Sequence, residues 1–189
     1  MAGASLAFMA AATRDTRLAD PVLLSHIVWT GLELGIPLQF HVGFGDPDIR
    51  LYRADPSHLH DFLAATAPLG VPVMLLHCYP YHRKAAYLAA SFPHVYMDLG
   101  LALNYTGMRA PTIMAESLEL DPLYKFLFST DAYGLAEFYY LGARQFRHAL
   151  SQVLGEWAEC GMWTVADACR AAEMMASGTA RRVYHLAAG

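Results

Sequence analysis

The chain has 189 residues, 56% of them hydrophobic and 16% charged, with a formal net charge of −4. A chain this apolar is not a disordered one, and its slightly acidic balance, without any run of Lys or Arg, argues against nucleic acid and anionic membrane surfaces as partners. No stretch reaches the ~18–20 apolar residues that cross a bilayer, which leaves a soluble protein with a small-molecule substrate as the expectation.

In chain order the pattern alternates. "DPVLLSHIVWTGLELG" (20–35) opens with Asp20 at the N-cap and Pro21 at the first helical position and closes on Gly35, the punctuation of a helix. "IPLQFHV" (36–42) is a short apolar run, read as a strand. "DPSHLHDFLAATAPLG" (55–70) repeats the helix grammar, and "VPVMLLHCY" (71–79) is the second strand. "YHRKAAYLAASFP" (81–93) predicts a third helix and "HVYMDLGLAL" (94–103) a third strand. "APTIMAESLEL" (110–120) and "LYKFLFSTDA" (123–132) give a fourth pair, and a helical tail covers 135–161 and 164–186. Each strand is a continuous apolar run, as strands buried on both faces are, and the helices between them supply the crossovers a parallel sheet needs. The reading is an α/β fold in one domain over 1–189, with residues 1–19 expected to be irregular. Three cysteines (Cys78, Cys160, Cys169) at no disulfide-framework spacing, and an N-terminus without a basic region, point to a reduced, cytoplasmic protein.

Each of the four runs carries an ionisable residue toward its end: His41, His77, Asp98 and Asp131. An unpaired ionisable side chain on a buried strand is expensive, and the strand ends of a parallel sheet lie on one edge, where such folds place ligands. Taken singly, a strand-end histidine is usually a hydrogen-bonded core residue, and Asp131 could simply cap the next helix. Four of them at corresponding places favour a site, and two histidines with a carboxylate suit a divalent transition metal such as zinc. The "HLH" pair His58 and His60 lies within a predicted helix, where residues two apart diverge, and is set aside. Cys78 reads as a small buried hydrophobe, His82 as either a site-mouth or a surface residue, and Arg50 and Arg53 as solvated loop arginines that could otherwise hold a carboxylate.

The segments "IPLQFHVGFGDPD", "VMLLHCYPYHRKAAYLAASFPHVYMDLG", "KFLFSTDA" and "ARRVY" resemble the amidohydrolase-related branch of the metal-dependent amidohydrolase family, in particular the barrels of nodulin and FluG-type proteins. The resemblance implies a TIM-like (β/α)8 barrel, of which this chain carries the C-terminal half (strands five to eight) with extra C-terminal helices. It implies metal ligation by His41, His77 and Asp131, with Asp131 as general base and His77 orienting or polarising, for water attack on an amide-type C–N bond or a related decarboxylation. Asp98 falls where the family has no ligand and is expected to support the site or the loop instead. The first-strand H-x-H pair of the family is absent, so the zinc site is expected to be incomplete in this chain, and a half-barrel is expected to have two open edges and an uncovered inner face. The second hypothesis is accordingly a non-catalytic half-barrel acting as an interaction module. In either case the expected partner is a second copy or the missing N-terminal half.

Overall fold

The computed structural model describes residues 19–187. All but the last residue of the segment expected to be irregular therefore lies outside the described residues. The first helix, α1 (Pro21–Glu33), starts as the sequence dictates: the Val22 and Leu23 N–H groups donate to Asp20 Oδ1 at 2.9 and 3.0 Å. Four strands follow, β1 (Leu38–Val42), β2 (Val73–His77), β3 (Val95–Asp98) and β4 (Phe126–Leu127), all parallel and in sheet order β1-β2-β3-β4. That order, one neighbour at a time through right-sized helical crossovers, is how successive units of a β/α barrel are laid down.

The crossovers are α2 (His60–Thr66), α3 (His82–Ser91), and the pair α4 (Gly100–Thr106) and α5 (Ala110–Ser117). Beyond β4 come α6 (Ala136–Glu159), α7 (Val165–Glu173) and α8 (Thr179–Val183), the last two joined by a π-helical turn at Met174–Gly178. The 24-residue α6 buries Phe146, Ala149, Leu150, Val153 and Leu154, a stripe at helical spacing that faces the sheet's outer layer. In α7, Thr164 and Asp167 form a reciprocal capping box. No helix among the described residues is long and apolar enough to cross a membrane.

The core lies between the convex face of the sheet and the helices, with Leu63, Val73, Leu75, Leu88, Val95, Met97 and Phe126 buried in it. Three expectations needed correction. The strand predicted over 94–103 ends at Asp98, and its apolar continuation folds into α4 because Gly100 allows the chain to turn close under Asp98 and His77. The fourth strand is only two residues long, preceded by a 3-10 turn over Leu123–Lys125. The concave face is not bare. Ala180, Val183 and Tyr184 lie against Met74, Leu76, Tyr96 and Leu127, and Gln39 Nε2 donates to the Tyr184 hydroxyl at 2.5 Å. The chain's own last helix thus crosses beneath the sheet from β4 toward β1 and floors the half-barrel.

Candidate metal centre

Alternation along β1 sends Phe40 outward, where it packs edge-on against Phe62, and leaves Gln39 and His41 on the concave side. In β3 the same rule places Tyr96 and Asp98 inward. On β2 it does the opposite for the key residue: register pairs His77 with the buried Val42, so a regular strand would turn the imidazole toward the helices. The backbone prevents this. His77 and Cys78 have φ of +68° and +62°, a left-handed conformation that costs a side-chain-bearing residue on the order of 1–2 kcal/mol. It swings the His77 ring into the concave site and leaves Cys78 in the outer core, fully buried with its Sγ–H on Leu75 O at 3.2 Å. Burial pushes the Cys78 thiol well up, with the Asp98 and Asp121 charges adding to it, so it is no nucleophile. Asp131 is likewise left-handed, at φ +52°. Backbone strain of this kind gathers at functional sites.

Around the buried His77 the site closes in three directions. Its ring stands edge-on to that of His41, centroids 4.9 Å apart, and its Nε2 is 3.6 Å from Asp131 Oδ2. Its Nδ1 lies 3.6 Å from Asp98 Oδ1, while its backbone N–H donates to that same oxygen at 2.9 Å. Asp98 is therefore the positioning residue of β2's end. The Leu101 N–H donates to His77 Nδ1 at 3.2 Å, so in the neutral ring the proton sits on Nε2, aimed at Asp131. A Cβ on Gly100 would stand 2.7 Å from Nδ1 and 2.3 Å from Ser129 Oγ, which makes glycine a requirement there.

His41 is set the other way. Its Nε2–H donates to Phe44 O at 2.8 Å, leaving the lone pair on Nδ1, and Gly45 leaves room beside the ring that a Cβ would fill at 2.8 Å from Nε2. His41 and Asp131 are both exposed to the cleft. They offer one imidazole nitrogen and one carboxylate, the right ligand chemistry for a divalent transition metal and fewer than the three or four protein ligands zinc takes. Among the described residues no three His, Cys, Asp or Glu side chains are gathered as a metal site. The donors present fit part of such a centre.

A cleft of about 920 Å³ opens over this edge, bounded by His41, Phe44, Asp46, Arg50, Arg53 and Asp131 among others. A smaller cavity of about 240 Å³ lies below it, between His77, Asp98, Ser129 and the Tyr184 floor. Burial pushes the Tyr184 hydroxyl up and the Asp98 charge adds to this, against the Gln39 bond, so the floor is neutral. Sequence reasoning missed Tyr184, Ser129 and Tyr133 as site neighbours. Ser129 and Tyr133 had a signal, each two residues from Asp131 in the chain; Tyr184 arrives by tertiary packing alone.

Three other histidines have partners of their own away from the site. His82 is neither at the site mouth nor on the surface: it is buried, stacked on Tyr79, and its Nε2 pairs with Glu116 at 2.7 Å. His58 is exposed and donates from Nε2 to Tyr52 O at 2.9 Å, and the exposed His60 packs against Phe92.

Successive β/α units, a parallel sheet and polar side chains converging at its C-terminal edge define the barrel class whose chemistry sits at the strand ends. The chain belongs to the amidohydrolase family, whose profile matches residues 6–186. It is 40% identical over 152 residues to protein fluG of Emericella nidulans, a match covering 79% of this chain and 17% of that protein. A crystal structure from Lactobacillus casei ATCC 334, assigned as a metal-dependent hydrolase, superposes with a TM-score of 0.83 at 35% identity, over 91% of this chain and 46% of that one. Uronate isomerase of Thermotoga maritima shares the fold, with a TM-score of 0.61 at 16% identity, over 97% of this chain and 46% of its own. The chain thus spans about half the length of these structural relatives, and less of fluG.

Proposed function

We propose that this chain forms the metal-binding half of a hydrolase acting on an amide-type C–N bond. The observation that carries the reading is the opposed setting of two adjoining histidines at the cleft that Asp131 also borders: His41 offers a lone pair on Nδ1, while His77 turns its Nε2 toward Asp131. His41 Nδ1 and Asp131 would hold a divalent transition-metal ion such as zinc, which accepts borderline imidazole and hard carboxylate donors together, with further ligands from a completing half. The bound ion would supply an acidified water and polarise the scissile carbonyl. Asp131 takes the proton as the water oxygen bonds to the carbonyl carbon and returns it to the nitrogen as the C–N bond breaks, giving an acid and an amine. His77, anchored by Asp98 and Leu101, faces Asp131 with its Nε2 at 3.6 Å and would orient it electrostatically, rather than serve as a third ligand.

The test is amine or ammonia release from simple amides by the zinc-supplemented protein, against Asp131→Asn and a chelator. Activity lost in both arms supports the reading; activity untouched by the substitution sinks it.

A second reading has its own observation. Exposed apolar side chains stand near both ends of the sheet order: Val22, Ile27 and Leu34 on or at the end of α1, which packs on β1, and Phe138, Tyr140 and Leu141 on α6, which is pressed onto the loop after β4. A half-barrel pairing edge to edge with a second copy would cover them and could serve as an interaction module without catalysis. Light scattering separates the two: a monomer at micromolar concentration removes the homo-oligomer.

A further inference from the structure

The cleft over the metal centre has a second arm. Between α4, the loop after β4 and the start of α6 lies a groove of about 640 Å³, walled by Leu101, Tyr105, Tyr133, Leu135, Phe138 and Leu141. It is continuous with the first arm, since Leu101, Tyr105, Asp131 and Tyr133 border both. The two arms differ in chemistry. The one at His41 carries both signs of charge, with Asp46, Asp48, Arg50 and Arg53; the one toward α6 has aromatic and aliphatic walls. Its back is built closely: a Cβ at Gly142 of α6 would stand 2.6 Å from Thr130 Cγ2, so the helix is pressed onto the loop that carries Asp131. At its base Asn104 Oδ1 is buried without a hydrogen-bond partner, while Asn104 Nδ2 reaches Thr130 O at 3.5 Å. The Phe44 and Tyr105 rings meet edge-on at 5.3 Å where the arms join.

We propose that the apolar arm is the substrate's side-chain subsite and takes an aromatic ring, so that the substrate class is an aryl-bearing amide. Its amide lies beside Asp131, its ring against Tyr133, Phe138 and Leu141, and its charged or hydrogen-bonding remainder in the Arg50 and Arg53 arm. Aromatic walls favour a ring over an aliphatic chain because rings meet edge-to-face with added electrostatic gain. The volume lies within the range of small-molecule sites. A donor on the ring-bearing side, such as the amide N–H, would satisfy the orphan Asn104 Oδ1. The proposal rests on the hydrolase reading for the word substrate; the binding of the ring does not require the metal.

The test is an NMR titration of the full chain with phenylacetamide and with acetamide, following the side-chain amides of Asn104 and Gln145. The expected result is saturable shifts with phenylacetamide and at least tenfold weaker binding of acetamide. Phe138→Ser with Leu141→Ser should weaken phenylacetamide about tenfold, while Tyr87→Ala, on α3 and away from the groove, leaves it within twofold. Where the double variant fails to fold by circular dichroism, Tyr133→Ala, at a residue 85% exposed, should still cost about threefold. Equal binding of the two amides, or unchanged affinity in the groove variants, overturns the proposal. So does a groove that binds no probe while its double substitution abolishes self-association, because the face is then covered by another chain. Ring binding without any amide hydrolysis would sink the hydrolase reading and leave the arm standing; hydrolysis without ring preference would do the reverse.

Discussion

The two ends of the sheet both bury charged and imidazole side chains, and they treat them in opposite ways. At the N-terminal end, the Lys125 ammonium is buried and donates to Ala89 O and Phe92 O at 2.6 and 2.7 Å, closing the carbonyl end of α3. His94 beside it is buried, with Nε2 at 3.2 Å from Thr66 Oγ1, and burial and then the Lys125 charge hold its pKa down. At the C-terminal end, His41 and Asp131 stand exposed in a cleft, Asp131 and His77 on left-handed backbone. Lys125, saturated by the chain's own carbonyls, is structural, and the spare Nδ1 of His94 is sealed from solvent. His41 and Asp131 have donor atoms open to a cleft and are available for chemistry, so the difference lies in partners and access and not in residue type.

That contrast predicts where substitutions cost stability and where they cost function. The largest loss belongs to the N-terminal end: Lys125→Met removes the donor from two buried carbonyls and should cost about 2–4 kcal/mol in denaturant unfolding. Asp98→Ala comes next, at about 1–3 kcal/mol, because the His77 N–H loses its buried acceptor; the ring should also loosen, seen as a narrowed His77 chemical-shift dispersion.

Asp121 offers a gain. It is buried with neither carboxylate oxygen hydrogen-bonded, and burial raises its pKa well above the ordinary carboxylate value, against the pull of Lys125. A raised carboxyl pKa means that the folded protein keeps a proton the unfolded chain has already released. Stability is therefore lost as pH rises from the ordinary value of about 3.9 through the folded one. Asp121→Asn should accordingly match the parent below about pH 4 and exceed it at neutral pH by about 1–2 kcal/mol, read from melting curves across pH. An advantage that shrinks as pH rises would contradict this sign. The smallest effect is at the site itself: Asp131→Gly relieves a left-handed backbone and should raise stability by about 0.5–1 kcal/mol while removing a candidate ligand.

Much of this layout was legible in the sequence for a physical reason. Continuous apolar runs between capped helices force a parallel sheet, and a parallel sheet puts all its strand ends on one edge, so His41, His77, Asp98 and Asp131 could be gathered without coordinates. Local grammar was equally readable where it is local: Asp20 caps the helix it was expected to cap. What could not be read depends on distant partners or on a few backbone angles. Nothing in "LLHCY" announces that His77 turns left-handed and reverses the face its ring occupies. Nothing in "YHRK" shows that His82 will find Glu116, 34 residues on. The floor made by Tyr184 on Gln39, 145 residues apart, is of the same kind. Asp98 was visible, and a supporting role at the site or the loop was expected of it; what the sequence did not show is that it would hold the backbone N–H of His77.

The central claim is that His41 and Asp131 are the metal ligands of this half of the barrel. Paramagnetic cobalt(II), titrated into the full chain and followed by NMR, tests it most directly. The account predicts that shifts and broadening centre on His41 and the Asp131 loop, with His77 next, and that they vanish from that edge in the His41→Ala, Asp131→Ala double variant. Broadening centred on the exposed His58 and His60, with His41 untouched, or an unchanged pattern in the double variant, would contradict it.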